Sequence, residues 1–557
     1  MSQNVQEVTA RAVEACQRGS IDALEAALKE GVQPNATDAD GCSLLHWAAI
    51  NNRLDIIQRL LELGADPNVV GGLLVSSPLH WAARVGHSNS AALLVKAGAV
   101  ANVRDTQGYA PIHLAVQTNQ STLVAYLLEK FDYCKDITDN SGMTPVMWAA
   151  YRTFGMFPIR LLVRAGANLN AQEHLSGNTA LHIAAQERNY CSVRELLAGN
   201  ADLLLRNKQQ ETPMDIARNM RNHKIIGMLE EAMVSRGKTP AKCKACRTVF
   251  TKRVTHSLEF FIPGLVLASI ALMFHLFHYM VVGAILVLGF IALQCVSKFD
   301  FHTASKSLVP VGICVAEPVC MVLTWCFSLH YFVSWYLQIA FVLVMCTLFW
   351  SLYKIIFSNP GVIEPREDAR TQFVNMLEHC ERVNFCFTCW VNKPKRAKHC
   401  SVCDRCVMDF DHHCPWLHQC ITIRNLRMFL LFVACVAVSA GIFSYACGHL
   451  IYTRIVRINP GDTPYRLLAI ADGIFKSSSW LLFCLTLAFF HAIMLTALLV
   501  NQCIQISENL STMDRIRISR GHHYTPVNAE SADNPVEPAL TFSTRLRNVA
   551  DFCIDSF

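Results

Sequence analysis

Charged residues are scarce in this 557-residue chain, because Asp, Glu, Lys and Arg together make up only 17% of it. Hydrophobic residues reach 52% and the mean hydropathy is +0.28, which is more apolar than an ordinary soluble domain. The net charge of +6 is modest for this length and the chain has no long basic run, so nucleic acid is not an expected partner. The composition instead predicts that part of the chain lies in membrane lipid.

The first residues also lack a secretory signal, since Met1–Val8 holds neither a basic residue nor an apolar run. We therefore expect the 24 cysteines to stay in a reducing compartment and not to form a disulfide framework. In such a compartment, cysteines spaced as Cys-x2-Cys and interleaved with histidine are typical of metal sites.

Residues 1–235 contain a motif that recurs with a period near 33 residues. Its copies are Ser43–Ala49, Ser77–Ala83, Ala110–Ala115, Thr144–Ala150, Thr179–Ala185 and Thr212–Ala217. With a degenerate first copy at residues 8–37, about seven units are present. The motif resembles the Thr-Pro-Leu-His-x-Ala signature of ankyrin repeats, which implies a solenoid of stacked helix pairs. The motif histidines are expected to tie neighbouring turns together and not to bind metal; they are His46, His80, His113 and His182.

Tryptophan follows the motif histidine in two copies, where an exposed side chain can face the concave surface of the stack. Because an exposed tryptophan is costly without a ligand, Asn51 and Trp81 are candidate peptide-binding residues. The alternative is that the tryptophan packs between adjacent repeats.

Beyond about residue 257, apolar stretches are long enough to cross a bilayer. Two spans are predicted between residues 257 and 296, and four more at about 308–331, 334–357, 428–452 and 480–502. The expected segments are a repeat domain (1–235), a basic linker (236–256), spans one to four (257–357), a cysteine-rich domain (358–427), spans five and six (428–505) and a tail (506–557).

The distribution of lysine and arginine predicts the orientation of these segments. Basic residues are frequent before the first span, in the cysteine-rich domain and in the tail, whereas the first two outer loops have essentially none. By the positive-inside rule, the repeats, the cysteine-rich domain and both termini are expected in the cytosol. Arg454, Arg457, Arg466 and Lys476 in the last outer loop oppose this orientation.

The cysteine run, residues 386–420, holds seven cysteines and four histidines and lies between the first four predicted spans and the last two. Two tetrahedral zinc sites of three cysteines and one histidine would use eight of these eleven groups and leave three. Spacing alone does not decide which thiols share a metal. The run has the pattern Cys386-x2-Cys389-x9-His399-Cys400-x2-Cys403-x2-Cys406-x4-Asp411-His412-His413-Cys414-x5-Cys420.

This pattern resembles the cysteine-rich domain of the DHHC protein S-acyltransferases, and the repeats ahead of six spans are similar to the ankyrin branch that includes the huntingtin-interacting palmitoyltransferases. The resemblance implies an all-α dominated fold: an ankyrin solenoid, a six-helix transmembrane domain and a small zinc domain between spans four and five. It also implies two structural zinc ions. One ion would be bound by Cys386, Cys389, His399 and Cys406, and the other by Cys400, Cys403, His413 and Cys420.

The same resemblance assigns Cys414 as nucleophile, His412 as its base and Asp411 as the group that orients the imidazole. The implied reaction passes a long-chain acyl group from palmitoyl-CoA to Cys414, and then to a cysteine of a substrate protein. The repeats would recruit substrates through short linear motifs, and the implied location is the Golgi or endomembranes.

The chain departs from the family pattern in places. Residues 417–426 lack the usual glycines and the Asn-His pair, with His418 where glycine is common, and Ser511–Asp514 replaces a Thr-Thr-x-Glu motif. Two alternatives therefore stay open: a catalytically weak ankyrin scaffold, and an ankyrin-repeat six-span channel. The channel is disfavoured because the loop between spans five and six shows no filter-like glycine or acidic ring.

Overall fold

The computed structural model of the chain describes residues 3–151, 157–237, 252–277, 307–381, 383–457 and 466–508, with positions 279, 281, 282, 285, 510–512, 515 and 548. Two compact units are present. One combines residues 1–247 with 364–393, and the other combines residues 248–363 with 394–557.

The first unit is built on stacked helix pairs, which we call the repeat array (residues 3–237). Its described helices form seven pairs. They are α1 (Gln3–Arg18) with α2 (Ile21–Lys29), α3 (Leu44–Ile50) with α4 (Leu54–Glu62), α5 (Pro78–Val85) with α6 (Ser88–Lys96), α7 (Pro111–Gln117) with α8 (Ser121–Lys130), α9 (Pro145–Tyr151) with α10 (Phe157–Arg164), α11 (Ala180–Gln186) with α12 (Tyr190–Ala198), and α13 (Pro213–Asn219) with α14 (His223–Ser235).

The motif histidines fasten each repeat to the next. Nδ1 of His46 accepts a hydrogen bond from the Ser43 N–H at 3.0 Å, and its Nε2 lies 2.7 Å from the Ser76 carbonyl of the following repeat. Burial lowers the pKa of these rings, to about 4 for His113, so they stay neutral and Nε2 can donate. The structural role expected for these histidines is confirmed.

Trp81 and Asn51 both make contacts inside the array. The Trp81 ring meets Trp47 of the preceding repeat edge to face, with centroids 5.3 Å apart, and Nδ2 of Asn51 donates to the Trp47 carbonyl at 2.8 Å. Both residues are half-buried. Packing between repeats therefore occupies part of each side chain, and peptide binding by Asn51 and Trp81 stays a prediction.

The first unit also contains a segment from far along the chain. Within residues 364–393, α18 (Ala369–Glu378) precedes an antiparallel hairpin of β1 (Phe385–Cys386) and β2 (Val391–Asn392). Three residues on one face of α18, Ala369, Phe373 and Leu377, are buried, which is the spacing of an amphipathic helix. Their side chains join the hydrophobic core of the repeat array.

The second unit contains long apolar helices. They are α15 (Lys252–Leu276), α16 (Val309–Thr324), α17 (Trp335–Phe357), α19 (Ile423–Arg457) and α20 (Arg466–Ser507), the last with a kink at Ser478. Among the described residues, five stretches are long and apolar enough to cross a membrane: Leu258–Leu276, Val309–Phe332, Trp335–Phe357, Ile423–Val456 and Ala471–Ser507. The second predicted span falls largely outside the described residues, as do most of the linker and the tail.

The helices of this unit pack around an apolar core, and a half-buried histidine–carboxylate contact joins two of them. α19 packs against α20 and α17, and α15 packs against α16. Trp325 stacks on Phe341 with ring centroids 4.0 Å apart. Nδ1 of His491 on α20 lies 2.9 Å from a carboxylate oxygen of Glu317 on α16. This contact gives each of two polar groups within the apolar helices a partner.

Two short hairpins lie between α17 and α19. β3 (Lys398–Cys400) pairs with β4 (Arg405–Val407), and β5 (Phe410–Cys414) pairs with β6 (Gln419–Thr422). The Gln419 side chain donates to the carbonyls of Ile356 and Ser358 at the end of α17, at 3.2 and 3.3 Å. Because α19 begins directly after β6, the second hairpin is fixed to one end of the helices.

Candidate functional site

Strand β5 separates its four polar residues onto two faces. Successive side chains of a strand point to opposite sides, so His412 and Cys414 share one face and His413 faces away from them. The register places His413 directly opposite Cys420 of β6, and Cys414 opposite Gln419. Metal-ligating side chains can therefore collect on one side of the hairpin, while a histidine and a cysteine remain together on the other.

The second cluster consists of Cys400, Cys403, His413 and Cys420, whose ligand atoms lie within 4.8 Å of one another. Nδ1 of His413 is 3.4 Å from Sγ of Cys403 and 3.7 and 3.8 Å from those of Cys400 and Cys420, and Sγ of Cys403 is 3.6 Å from that of Cys420. Zinc bonds of about 2.3 Å to sulfur and about 2.0–2.1 Å to nitrogen, in a tetrahedron, separate ligand atoms by about 3.6–3.8 Å. The donor set and its spacing fit a metal ion.

The first cluster consists of Cys386, Cys389, His399 and Cys406, with the same 4.8 Å limit between ligand atoms. His399 and Cys406 are direct partners across β3 and β4, whereas Cys400, the neighbour of His399 in the strand, belongs to the second cluster. Nε2 of His399 lies 3.4 Å from a carboxylate oxygen of Asp404, the outer contact that a metal-binding histidine usually makes. Two Cys/His clusters that could bind zinc are therefore present.

On the other face of β5, His412 and Cys414 are joined by Asp411, which departs from the simple alternation because the pairing of β5 with β6 is irregular between Phe410 and His412. Nδ1 of His412 lies 2.7 Å from Oδ2 of Asp411, and Cys414 lies two residues further along the same strand, on the same face as His412. Asp411 and Cys414 are buried, at 7% and 6% exposure. Cys414 is also a member of the buried hydrophobic cluster of the long helices, together with Leu417 and Phe429. The thiol therefore sits between a polar group on one side and an apolar core on the other.

A residue from beyond α20 completes this chain of contacts. Thr512 donates to Asp411 twice, through its backbone N–H to Oδ1 at 2.6 Å and through its hydroxyl to Oδ2 at 2.8 Å. The sequence showed Thr512 within the altered motif 511–514, but its contact with Asp411, 101 residues away, could not be predicted from that motif. The carboxylate is thus held by a threonine and a histidine.

These contacts change the ionisation of both partners. For His412, burial lowers the pKa, but hydrogen bonds with Asp411 and Cys414 outweigh it and raise the pKa to about 9. For Asp411, burial raises the pKa, yet the hydrogen bonds from His412 and Thr512 outweigh it and hold the pKa below its usual value. The pair therefore favours an imidazolium beside a carboxylate at neutral pH.

The altered stretch after Cys414 keeps the backbone shape of a glycine. His418 has a φ of 48°, in the left-handed region that favours glycine. Its ring lies edge to face with that of the metal-cluster residue His413, with centroids 5.8 Å apart. The turn that leads from Cys414 into β6 therefore uses a backbone conformation that glycine adopts at the least cost, in agreement with the glycine that the resemblance expects here.

Comparison with known proteins agrees with this architecture. A family model described as DHHC palmitoyltransferase matches residues 379–519, and one for ankyrin repeats in three copies matches residues 2–71, 79–159 and 126–207. Palmitoyltransferase ZDHHC17 of Danio rerio is 31% identical over 550 residues, which are 97% of this chain and 86% of that protein. Palmitoyltransferase Hip14 of Drosophila melanogaster is 32% identical over 529 residues, 92% of this chain and 81% of that protein. Palmitoyltransferase ZDHHC17 of Homo sapiens is 32% identical over 559 residues, 97% of this chain and 85% of that protein.

Fold and site together define a membrane protein in which an ankyrin-repeat array is joined to a DHHC domain. The chain belongs to the DHHC palmitoyltransferase family. It is accordingly an enzyme of the protein S-palmitoyltransferase class, as the sequence predicted.

Proposed function

We propose that the chain transfers a long-chain fatty acyl group from palmitoyl-CoA to cysteines of substrate proteins, with Cys414 as nucleophile, His412 as base and Asp411 as orienting group. The observation that carries this proposal is the position of Cys414. Its side chain lies on the same face of β5 as the imidazole that Asp411 holds, and it belongs at the same time to the apolar core of the helices, as the attack on a long-chain acyl group requires.

The reaction proceeds in two balanced steps. In the first, the Cys414 sulfur bonds to the thioester carbonyl carbon of palmitoyl-CoA, the carbon–sulfur bond to CoA breaks, and CoA leaves as its thiol with a proton from His412. In the second, His412 takes the proton of a substrate thiol, whose sulfur attacks the acyl-Cys414 thioester and releases Cys414. Each step exchanges one thioester for another, so positioning and thiol activation are the catalytic requirements.

We propose that the metal in both clusters is zinc with a structural role, because four protein ligands leave no open coordination position. Zinc would supply the free energy that such short hairpins need in order to fold. The residues that would hold it are Cys386, Cys389, His399 and Cys406 for one ion, and Cys400, Cys403, His413 and Cys420 for the other.

The repeat array is proposed to recruit substrate proteins through short linear motifs, with Asn51 and Trp81 as candidate contacts. Both side chains are half-buried, so part of each remains accessible. The proposed location is the Golgi or endomembranes, with the repeats, the cysteine run and both termini in the cytosol. The distribution of lysine and arginine supports this orientation, and protease protection in intact microsomes tests it.

Incubation of the purified full chain with an alkyne analogue of palmitoyl-CoA tests the reaction. We expect hydroxylamine-sensitive labelling of the wild type and no labelling of Cys414→Ser, with the same metal content in both proteins. Cys420→Ser is the contrasting variant and should lose metal as well as label. A wild type that binds its full complement of metal and stays unlabelled would favour the scaffold alternative.

A further inference from the structure

Helix α18 is packed into the core of the repeat array. Phe373 and Leu377 are fully buried, and they join a hydrophobic cluster that continues through the array and also includes Phe385 and Phe387 of the β1–β2 hairpin. The array contacts α18 through α6 and α8, the second helices of their pairs. Residues 364–393 therefore share one core with the repeats.

Polar contacts surround this apolar interface. Glu378 at the end of α18 accepts a hydrogen bond from the Tyr126 hydroxyl at 3.2 Å and forms an ion pair with Lys130 at 2.6 Å. Arg370 pairs with Glu129 at 3.0 Å, and its guanidinium lies 4.8 Å from the ring centre of Trp390. A carboxylate and a guanidinium of α18 each pair with an oppositely charged side chain of the array, and these two ion pairs fix where α18 lies along the array.

The array also holds the turn between Cys386 and Cys389. Arg160 on α10 makes two bonds to Glu195 on α12, at 2.9 and 2.7 Å, and a third to the Thr388 hydroxyl at 3.3 Å. The guanidinium of Arg164 donates to the Thr388 carbonyl. Thr388 and Glu195 are buried, at 6% and 8% exposure. Two arginines of one repeat thus bind the middle of a Cys-x2-Cys turn.

We propose that the second helices of the repeat array are the structural support of the Cys386–Cys389 turn, and that Arg160 is a positioning residue which acts through Thr388. A Cys-x2-Cys turn binds metal well only when both thiols already point the same way, and a short polar turn does not hold that shape alone. By fixing Thr388 from outside the turn, the array reduces the conformational entropy that metal binding must remove.

This role is separate from recruitment of substrates. The candidate peptide contacts Asn51 and Trp81 lie at the end of α3 and on α5, which are first helices or their termini, whereas the turn is bound through α10, whose Arg160 is held by Glu195 of α12. The array can therefore hold a peptide with one set of helices and the Cys386–Cys389 turn with another. The inference does not depend on the proposed transfer reaction.

The test compares Arg160→Gln, Thr388→Val and the double variant in the full-length, metal-loaded protein. Arg59→Gln is a matched control, because Arg59 on α4 pairs with Glu25 on α2 across two repeats at 2.5 Å, as Arg160 pairs with Glu195. Hydrogen exchange of peptides covering residues 383–393 and the rate of metal release to a chromogenic chelator are measured without acyl-CoA. Neither measurement requires transferase activity. Failure of this inference can therefore be distinguished from failure of the proposed function.

We expect Arg160→Gln and Thr388→Val each to speed exchange in residues 383–393 and metal release by about five- to thirty-fold, the effect of losing one such hydrogen bond. The double variant should be no faster than the faster single variant, because both remove the same contact. Arg59→Gln should speed hydrogen exchange only in the first repeats and leave the rate of metal release unchanged. The inference is overturned if Thr388→Val releases metal at the wild-type rate, or if the effect of Arg160→Gln is confined to α10 and α12.

Discussion

Neighbouring residues of β5 lie in different surroundings: His413 lies in a Cys/His cluster, whereas Cys414 lies in the apolar core of the long helices. Asp411 and His412 form a hydrogen-bonded pair, and their pKa values move apart: that of His412 rises to about 9 and that of Asp411 falls. Because the pKa of His412 is raised, the protonated ring stabilises the fold. This stabilisation is complete below the ordinary pKa of about 6.5 and is lost as the pH rises through about 9. The lowered pKa of Asp411 stabilises the fold above its ordinary value of about 3.9 and loses this effect as the pH falls.

Asp411→Asn is therefore expected to destabilise the protein most between about pH 5 and 7, where both groups are charged in the wild type. We expect its melting temperature to lie roughly 3–6 °C below that of the wild type at pH 6.5, and less than half as far below at pH 9.5. Tryptophan fluorescence during heating measures this difference. Asp409→Asn in the preceding turn is the control, and a difference for Asp411→Asn that is independent of pH would contradict the prediction.

Substitutions of His418 measure how much a side chain at this position of the turn after Cys414 changes the free energy of unfolding. Its φ of 48° is tolerated by histidine better than by a β-branched residue, which cannot easily enter the left-handed region. We expect His418→Val to lower the free energy of unfolding by about 1–2 kcal/mol, and His418→Gly to be neutral or stabilising. Thermal melts with metal analysis measure both variants. Equal stability of the Val and Gly variants would show that the turn relaxes to another conformation.

At the level of elements, the hairpins explain why the two clusters interleave in sequence. His399 and Cys400 are adjacent in β3 and therefore point to opposite faces, as do His413 and Cys414 in β5. The ligand count and spacing predicted two clusters and three remaining groups, but not which thiols share a metal. The rule of alternation would have separated these neighbours once strands were assigned. Strands of two to five residues give too weak a periodic signal for that assignment.

The Glu317–His491 pair joins α16 to α20. Removing one partner leaves the other without its counter-ion in an apolar core, so we expect Glu317→Ala to lower stability by about 3–5 kcal/mol. The double variant Glu317→Leu with His491→Leu should recover most of this loss, because it leaves no polar group unpaired. Melting of both proteins in the same detergent measures the effect. A double variant as unstable as the single one would show that the pair is not the cause.

For the whole molecule, the sequence predicted each kind of segment because each has its own periodic signal. The repeat motif predicted the helix pairs, and apolar length predicted the five spans that lie among the described residues. The packing of α18 against the array was not predictable. Phe373 and Leu377 have helical spacing, but nothing in that spacing says which surface covers them. The Asp411–Thr512 contact was also not predictable, because it joins residues that are 101 positions apart in the sequence.

Removal of metal should act unequally on the chain. Hairpins β3–β4 and β5–β6 have too little core to persist alone, whereas the repeat array has a continuous core of its own. We expect a strong zinc chelator to increase hydrogen exchange across residues 398–422 and to leave the helices of residues 3–237 protected. Exchange before and after chelation, with added zinc to reverse it, measures this. Loss of protection in the array to the same extent would contradict the prediction.

The adjacency of His399 and Cys400 in one three-residue strand also has a consequence for how the protein acquires its metal. If these two residues bind different ions, as proposed above, the strand cannot be ordered for one ion and disordered for the other. Half-loaded molecules should therefore be rare at every zinc concentration, and loading should follow a steep, cooperative curve. A cell short of zinc would then hold fewer complete copies of this enzyme, and not a uniform population of weakened ones.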